Sequence, residues 1–207
     1  MNMKKIFKII NKLTKKLNHL FYLKIEDKVA VIELENFNYL STDKNIIKFQ
    51  EFKESDTFLN YNKINNDKKR ITNRMKKATP YVAVLNHTII AWLWITENAR
   101  EKEGAKPFYY KVIPGKKNAY IFDTYVLPEH RNNQVITNLF MNMLKNIKKK
   151  GFLLAFLTFD KTNKPMKIII NKLGFKIIGQ LSYKKILFYK KQNIEINNYE
   201  NRINIKY

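Results

Sequence analysis

Apolar and polar residues change their spacing several times along this chain, and each change marks an element. Met3, Ile6, Ile10, Leu13, Leu17, Leu20 and Phe21 recur at helical intervals, with Lys4, Lys5, Lys8, Lys12, Lys15 and Lys16 over much of the remaining surface. Residues 1–28 therefore read as a basic amphipathic helical extension. KVAVIELEN, from Lys28, reads as a strand, and NIIKFQEFKE opens a helical region that runs less regularly to KKRITNRMKKA around Arg70 and Arg74. In YVAVLNHTIIAWLWITE two apolar runs flank LNHT, which predicts a hairpin with Asn86 in its turn. NAREKEGAKPFYYKVIPGKK carries Gly104, Pro107, Pro114 and Gly115 and reads as an irregular excursion. NAYIFDTYVL, rich in aromatic and β-branched residues, is a strong strand.

Two helices with recognisable ends follow. Val135, Ile136, Leu139, Phe140, Met143, Leu144 and Ile147 form an apolar stripe that closes in KKKG, where lysines suit the helix dipole and Gly151 the stop. NKPMKIIINKLGF offers Asn163 as N-cap, Pro165 in the first turn and Gly174 just past the end. Between them, FLLAFLTF is a continuous apolar run, as expected of a strand covered on both faces. FKIIGQL and KKILFYK predict two short strands, and residues 192–207 a polar, peripheral tail. The order implies an α/β fold: residues 29–191 form one domain with a mixed sheet and helices on both faces.

Composition narrows the chemistry. With 45% hydrophobic and 14% aromatic residues, a packed domain is expected rather than disorder. The chain has no cysteine, which excludes disulfides, thiolate nucleophiles and cysteine-ligated metal. Its three histidines, His19, His87 and His130, lack metal-ligand spacing, so no metal site is expected. The 40 Lys+Arg against 17 Asp+Glu give a formal charge of +23, which suits an anionic partner: nucleic acid, a membrane surface, or a phosphorylated ligand. The excess is mostly lysine among abundant Asn and Ile, so lysine-rich composition alone accounts for it equally well. No run is long and apolar enough to span a bilayer, and lysines interrupt the N-terminus before a secretory apolar core. The expectation is a cytoplasmic protein. Residues 1–24 either dock on the domain or on a second subunit, or lie on an anionic membrane.

YVLPEHRNNQVITNLF, from Tyr125, is where a ligand would be sought first. A strand ends at Pro128, a polar turn follows, and a helix begins near Gln134. The first N–H groups of a helix have no intrahelical acceptor and sit at the positive end of its dipole, so an anion is favoured there. Arg131 adds a forked donor suited to phosphate. An ordinary strand-to-helix connection with a solvated arginine is the plain alternative.

The same segment resembles the acetyl-CoA signature of the Gcn5-related N-acetyltransferase (GNAT) superfamily: a strand ending Val-x-Pro, then Arg/Gln-x-x-Gly-x-Gly/Ala opening a helix. Val126, Pro128 and Arg131 match, while Gln134 and Ile136 stand where the two small residues belong. Downstream, Asn163 and Lys172-Leu173-Gly174-Phe175 match the family's second block, and the hairpin resembles its substrate-side strands. The resemblance covers Val29 to Lys191. It implies acetyl-CoA as acyl donor, held by Tyr125, Val126, Arg131, Asn132, Asn133, Gln134, Val135, Ile136 and Asn163, mostly through backbone groups, with the pantetheine arm along strand 120–127 in a splayed gap.

Asp123 is the best candidate to take a proton from an amine, provided a bulge of the kind this family has lets it face the site. A strand carboxylate paired with a neighbouring Lys or Arg is the alternative. The family's tyrosine acid falls at Ile170, so that group is absent; Tyr183 or Tyr125 could substitute, and Glu97 and His87 lie near the hairpin. Trp92 and Trp94 share a strand face, as a flat-substrate platform or, more simply, a buried pair. Two functions fit: an N-acetyltransferase acting on a small-molecule primary amine such as an amino sugar, or a catalytically degenerate GNAT-fold module that binds nucleic acid or anionic membrane.

Overall fold

One parallel joint sits inside an otherwise antiparallel sheet. The computed structural model describes residues 22–37, 47–53, 74–97, 103–105, 108–131, 134–186 and 189–206. Its strands are β1 (Tyr22–Glu33), β2 (Lys48–Glu51), β3 (Thr79–Leu85), β4 (Thr88–Thr96), β5 (Glu103–Ala105), β6 (Phe108–Pro114), β7 (Asn118–Val126), β8 (Leu154–Asp160), β9 (Lys176–Ile186), β10 (Tyr189–Ile196) and β11 (Ile203–Lys206). Helix α1 (Val135–Lys149) joins β7 to β8, and α2 (Lys164–Leu173) joins β8 to β9. Eight strands form the main sheet in the order β10-β9-β1-β8-β7-β4-β3-β2, and β11-β6-β5 form a second, small sheet. Among the described residues only β7 and β8 run parallel, as a strand–helix–strand unit requires.

Period-2 alternation divides the core. Ala30, Ile32, Ala83, Leu93, Ile121, Ala155 and Leu157 face α1 and α2, which contribute Val135, Leu139, Phe140, Met143, Leu144, Ile147, Ile170 and Leu173. Val29, Val31, Val82, Trp92, Trp94, Tyr120, Phe122 and Phe156 face the other way, where Tyr110 and Val112 of β6 and Ile203 and Ile205 of β11 cover them. Each fully buried aliphatic or aromatic side chain is worth about 1.5–3 kcal/mol, so both layers contribute to stability. Among the described residues, both helices lie on one face and the small sheet on the other.

Local signals held where they were strong. The hairpin turns at Asn86 (φ 48°) and His87 (φ 60°), the paired left-handed residues that a two-residue turn needs. Asn163 caps α2 by accepting the Met166 N–H through Oδ1 at 3.1 Å, and Gly174 ends it at φ 82°. α1 ends at Lys149, with Gly151 at φ 84°.

Several weaker readings are corrected. β1 starts at Tyr22, so the boundary at residue 28 falls inside a strand; residues 1–21 of the basic extension lie outside the described residues. NIIKFQEFKE contains strand β2 rather than the start of a helix, because Phe49 and its neighbours pair with β3. The excursion after residue 97 holds β5 and β6, and its Tyr110 and Val112 are core residues. The two short strands merge into β9 up to Ile186, with β10 beyond it. The peripheral tail is the rest of β10 plus β11, whose Ile203 and Ile205 are buried against the main sheet.

Candidate active site

β7 and β8 pair from Asn118↔Leu154 to Ile121↔Leu157 and no further, although β7 continues to Val126 and β8 to Asp160. Beyond that point β7 stays with β4 and β8 with β1, so the two strands splay. The splay opens where β7 carries an extra residue: Tyr125 to Phe122 on β7 spans Trp92 to Trp94 on β4. This is a β-bulge, and Asp123 within it has φ 48°. The phase of the strand changes there. Phe122 and Tyr125, three residues apart, both lie on the tryptophan face, stacked on Trp94 at 6.4 Å and Trp92 at 4.6 Å between ring centroids.

The bulge exposes Asp123, whose Oδ2 is ion-paired to Arg74 Nη1. The guanidinium of Arg74 lies over the rings of Trp94 (4.8 Å) and Phe122 (5.1 Å), a cation–π geometry that fixes its plane. Trp92 and Trp94 are thus the buried pair of the plainer reading. Their indole Nε1 donors find no acceptor among the described residues.

At the far end of β7, Leu127 N–H donates to Ile90 O (2.9 Å) on β4, so the carbonyl of Val126 points the other way, into the gap. Arg131 donates to it through Nε at 3.2 Å, and its guanidinium lies 5.6 Å from the Tyr125 ring. Arg131, Tyr125 and Trp92 therefore form a layered stack at the end of β7, with Tyr125 37% exposed. A single 3-10 turn, Pro128–His130, leads to α1.

The helix entry is where glycine was missed. Gln134 occupies the N-cap with φ 55° and ψ 6°, the left-handed conformation that glycine adopts without strain. Its side chain does not cap the helix, and no acidic residue occupies the first turn. Instead Gln134 Oε1 accepts from Lys172 Nζ of α2 at 3.3 Å. The Val135 side chain is buried in the core and that of Ile136 packs against it, so both turn inward rather than toward the helix entry. What α1 presents there is backbone N–H, with Arg131 and Lys172 nearby: the donor set an anionic pyrophosphate fits.

The structure thus gathers Asp123, Tyr125, Val126, Arg131, Gln134, Val135 and Ile136 along one continuous edge. Asn132 and Asn133 lie outside the described residues. Asn163 stands at the exit of β8, but its side-chain oxygen is committed to capping α2. Ile170 is fully buried, and Tyr183 is buried on β9. His87 is exposed in the hairpin turn, and Glu97 lies just past the opposite end of β4.

Three features were not read from sequence. Arg74 was visible only as a member of a basic run, and Lys172 only as a residue of the family's second block. The third is a hydroxyl chain on β8 at the apex of the splay. Thr158, the first residue past the parallel pairing, has Oγ1 2.6 Å from Tyr120 OH and 2.8 Å from Tyr110 OH. Tyr110 in turn donates to Asp27 Oδ2 at 3.0 Å. Burial pushes the Asp27 carboxyl above the usual carboxylate range, the Tyr110 hydrogen bond opposes this, and the Asp160 charge adds to it. No spacing in the sequence links positions 27, 110, 120 and 158.

A mixed sheet splayed at its parallel joint, bulged on one side and followed by a helix with open N–H groups, defines the acyl-CoA N-acyltransferase class of fold. The chain matches the Acetyltransferase (GNAT) family over residues 39–175, and it belongs to that family. A GCN5-related N-acetyltransferase from Sphaerobacter thermophilus superposes with TM-score 0.54 at 11% identity, covering 86% of this chain and 56% of that one. A GNAT-family protein from Novosphingobium aromaticivorans gives 0.52 at 12% identity, covering 77% and 63%. The GCN5-related glucosamine N-acetyltransferase region of a fungal multi-domain β-N-acetylglucosaminidase gives 0.55 at 13%, covering 84% of this chain and 22% of that chain. At such identities the likeness is one of fold, and the chain spans less than two thirds of each of these proteins. No curated protein matches its sequence.

Proposed function

We propose that the protein is an acetyl-CoA-dependent N-acyltransferase acting on the primary amine of a small metabolite, an amino sugar being one such acceptor. The observation that carries this reading is the β7–β8 splay beginning at the Asp123 bulge and ending at the open N-terminus of α1. The N–H groups at the start of α1 and the Arg131 fork would hold the pyrophosphate, and the gap-facing backbone of β7 around Val126 would line the pantetheine arm. Bound there, acetyl-CoA supplies the activated acyl thioester. Asp123 is the exposed carboxylate at the apex, in position to take the proton that the attacking amine must lose. Arg74 orients that carboxylate.

A second reading, a degenerate module that has lost catalysis, draws on Gln134 in the glycine position and on the pairing of Asp123 with Arg74. Isothermal titration with acetyl-CoA separates the two. The enzyme reading expects binding that weakens about five- to tenfold in Arg131→Ala, the worth of a partly exposed charge-assisted contact. Absence of detectable binding at millimolar acetyl-CoA would reject it.

A further inference from the structure

The acyl-transfer reading leaves the acceptor open, and Arg74 bears on it. An arginine beside the carboxylate meant to serve an incoming amine is an unfavourable neighbour for a cationic substrate. Amines approach catalytic sites largely protonated, and a polycation would meet Arg74, already paired with Asp123, and Arg131. The guanidinium is also unusually fixed for an arginine at a partly open site. Its plane rests on Trp94 and Phe122 at 4.8 and 5.1 Å, and its side chain is 17% exposed. Such a fork loses little freedom on binding, and it carries five N–H donors. Among the described residues it hydrogen-bonds to Asp123 alone, through Nη1. One guanidinium can then serve two anions, a protein carboxylate on one edge and an oxyanion of the substrate on another.

We infer that Arg74 is the acceptor-recognition residue and that the acceptor carries an anionic oxygen group, carboxylate or phosphate, close to its amine. This rests on the acyl-transfer reading. Binding the anion at Arg74 brings a nearby amine to the carboxylate that Arg74 already holds, so recognition and proton removal are coupled through one side chain. It also explains why Asp123 is ion-paired rather than left to attract cations on its own: the pair presents little net charge until an anion joins it.

The test uses matched amines that differ in the anion: O-phosphoethanolamine against ethanolamine, and L-alanine against L-alaninamide. Thiol release from acetyl-CoA gives turnover, and calorimetry gives binding of acetyl-CoA and of each amine separately. The expected result is kcat/KM at least about tenfold higher for the anionic member of a pair, one charge-assisted contact in worth. The pair that shows it tells phosphate from carboxylate. In Arg74→Gln the preference collapses mainly through KM, and Arg74→Lys, which keeps the charge without the fork, restores part of it. Equal turnover of both members, or a preference that survives Arg74→Gln, overturns the inference while leaving acyl transfer intact. If acetyl-CoA fails to bind but the anionic amine binds wild type and not Arg74→Gln, acyl transfer falls and the anion site stands. If neither binds, both fall.

Discussion

Gln134→Gly is the substitution whose outcome follows most directly from backbone geometry. Gln134 sits at φ 55°, where an L-residue pays about 1–2 kcal/mol because its Cβ crowds the following carbonyl. Glycine removes that strain but is more flexible in the unfolded chain, which returns about 0.5–1 kcal/mol. The lost contact is the exposed Lys172–Gln134 hydrogen bond at 3.3 Å, worth at most about 0.5 kcal/mol. The balance is a stabilisation of about 0–1 kcal/mol over wild type and of about 0.5–1 kcal/mol over Gln134→Ala, which loses the same contact, or about 1–4 °C in Tm between the two variants for a chain of this size. Gln134→Ala is the control: it loses the same contact and keeps the same strain, so it should stay within about 0.5 kcal/mol of wild type. Urea unfolding of the three proteins, followed by circular dichroism, reads the difference. The glycine variant should also retain acetyl-CoA binding, since the donors at the helix entry are backbone N–H groups. A glycine variant no more stable than the alanine variant would show that residue 134 is not left-handed and would refute the reasoning.

Two further outcomes follow from the packing. A Cβ at Gly179 would stand 2.0 Å from the Glu195 carbonyl oxygen, which belongs to backbone and cannot swing aside. Gly179→Ala should therefore force β9 and β10 apart and cost about 2–4 kcal/mol in urea unfolding, with hydrogen exchange of residues 189–196 accelerated first; a loss under about 0.5 kcal/mol would contradict it. Asp27, whose carboxyl burial pushes upward, holds its proton more tightly folded than unfolded, so its contribution to stability is present at acid pH and is lost as pH rises through the raised value. Asp27→Asn cannot titrate and keeps an acceptor for Tyr110, so its stability relative to wild type should improve between pH 4 and pH 7; an unchanged difference at the two pH values would be the contrary result.

What was legible in the sequence was whatever is set by neighbours along the chain. The Asn86 hairpin, the Asn163 and Gly174 ends of α2 and the apolar stripe of α1 are each fixed by residues within a few positions of one another. The failures share a different cause. Ile46, Ile47, Phe49 and Phe52 have helical spacing, but the segment is a short edge strand that feeds both layers: Ile47 and Phe49 pack on the helix side, Phe52 on the other. Two-sided burial in a strand and one-sided burial in a helix leave the same mark. In the polar tail the signal was present, since Ile194 and Ile196, then Ile203 and Ile205, alternate with period 2. It was drowned by asparagine.

The candidate site divides along the same line. Its phosphate end was visible because strand, turn and helix are contiguous from Tyr125 to Ile136. The bulge at Asp123 came from resemblance alone, since no residue type there demands it. The acceptor end was invisible because Arg74 meets Asp123 from 49 positions away, across four intervening strands of sequence. This difference has a consequence for the glycine-free loop. A family signature records side chains, and by that record Gln134 is a loss. The cradle itself is a backbone shape, and Gln134 keeps it: the left-handed φ is retained, the Ile136 side chain is drawn to the core, and the helix donors stay open. Loss of glycine at such a position therefore costs strain before it costs binding. That is why the proposed acceptor side, where a single guanidinium holds the Asp123 carboxylate, is the better place to look for what distinguishes this chain within its family.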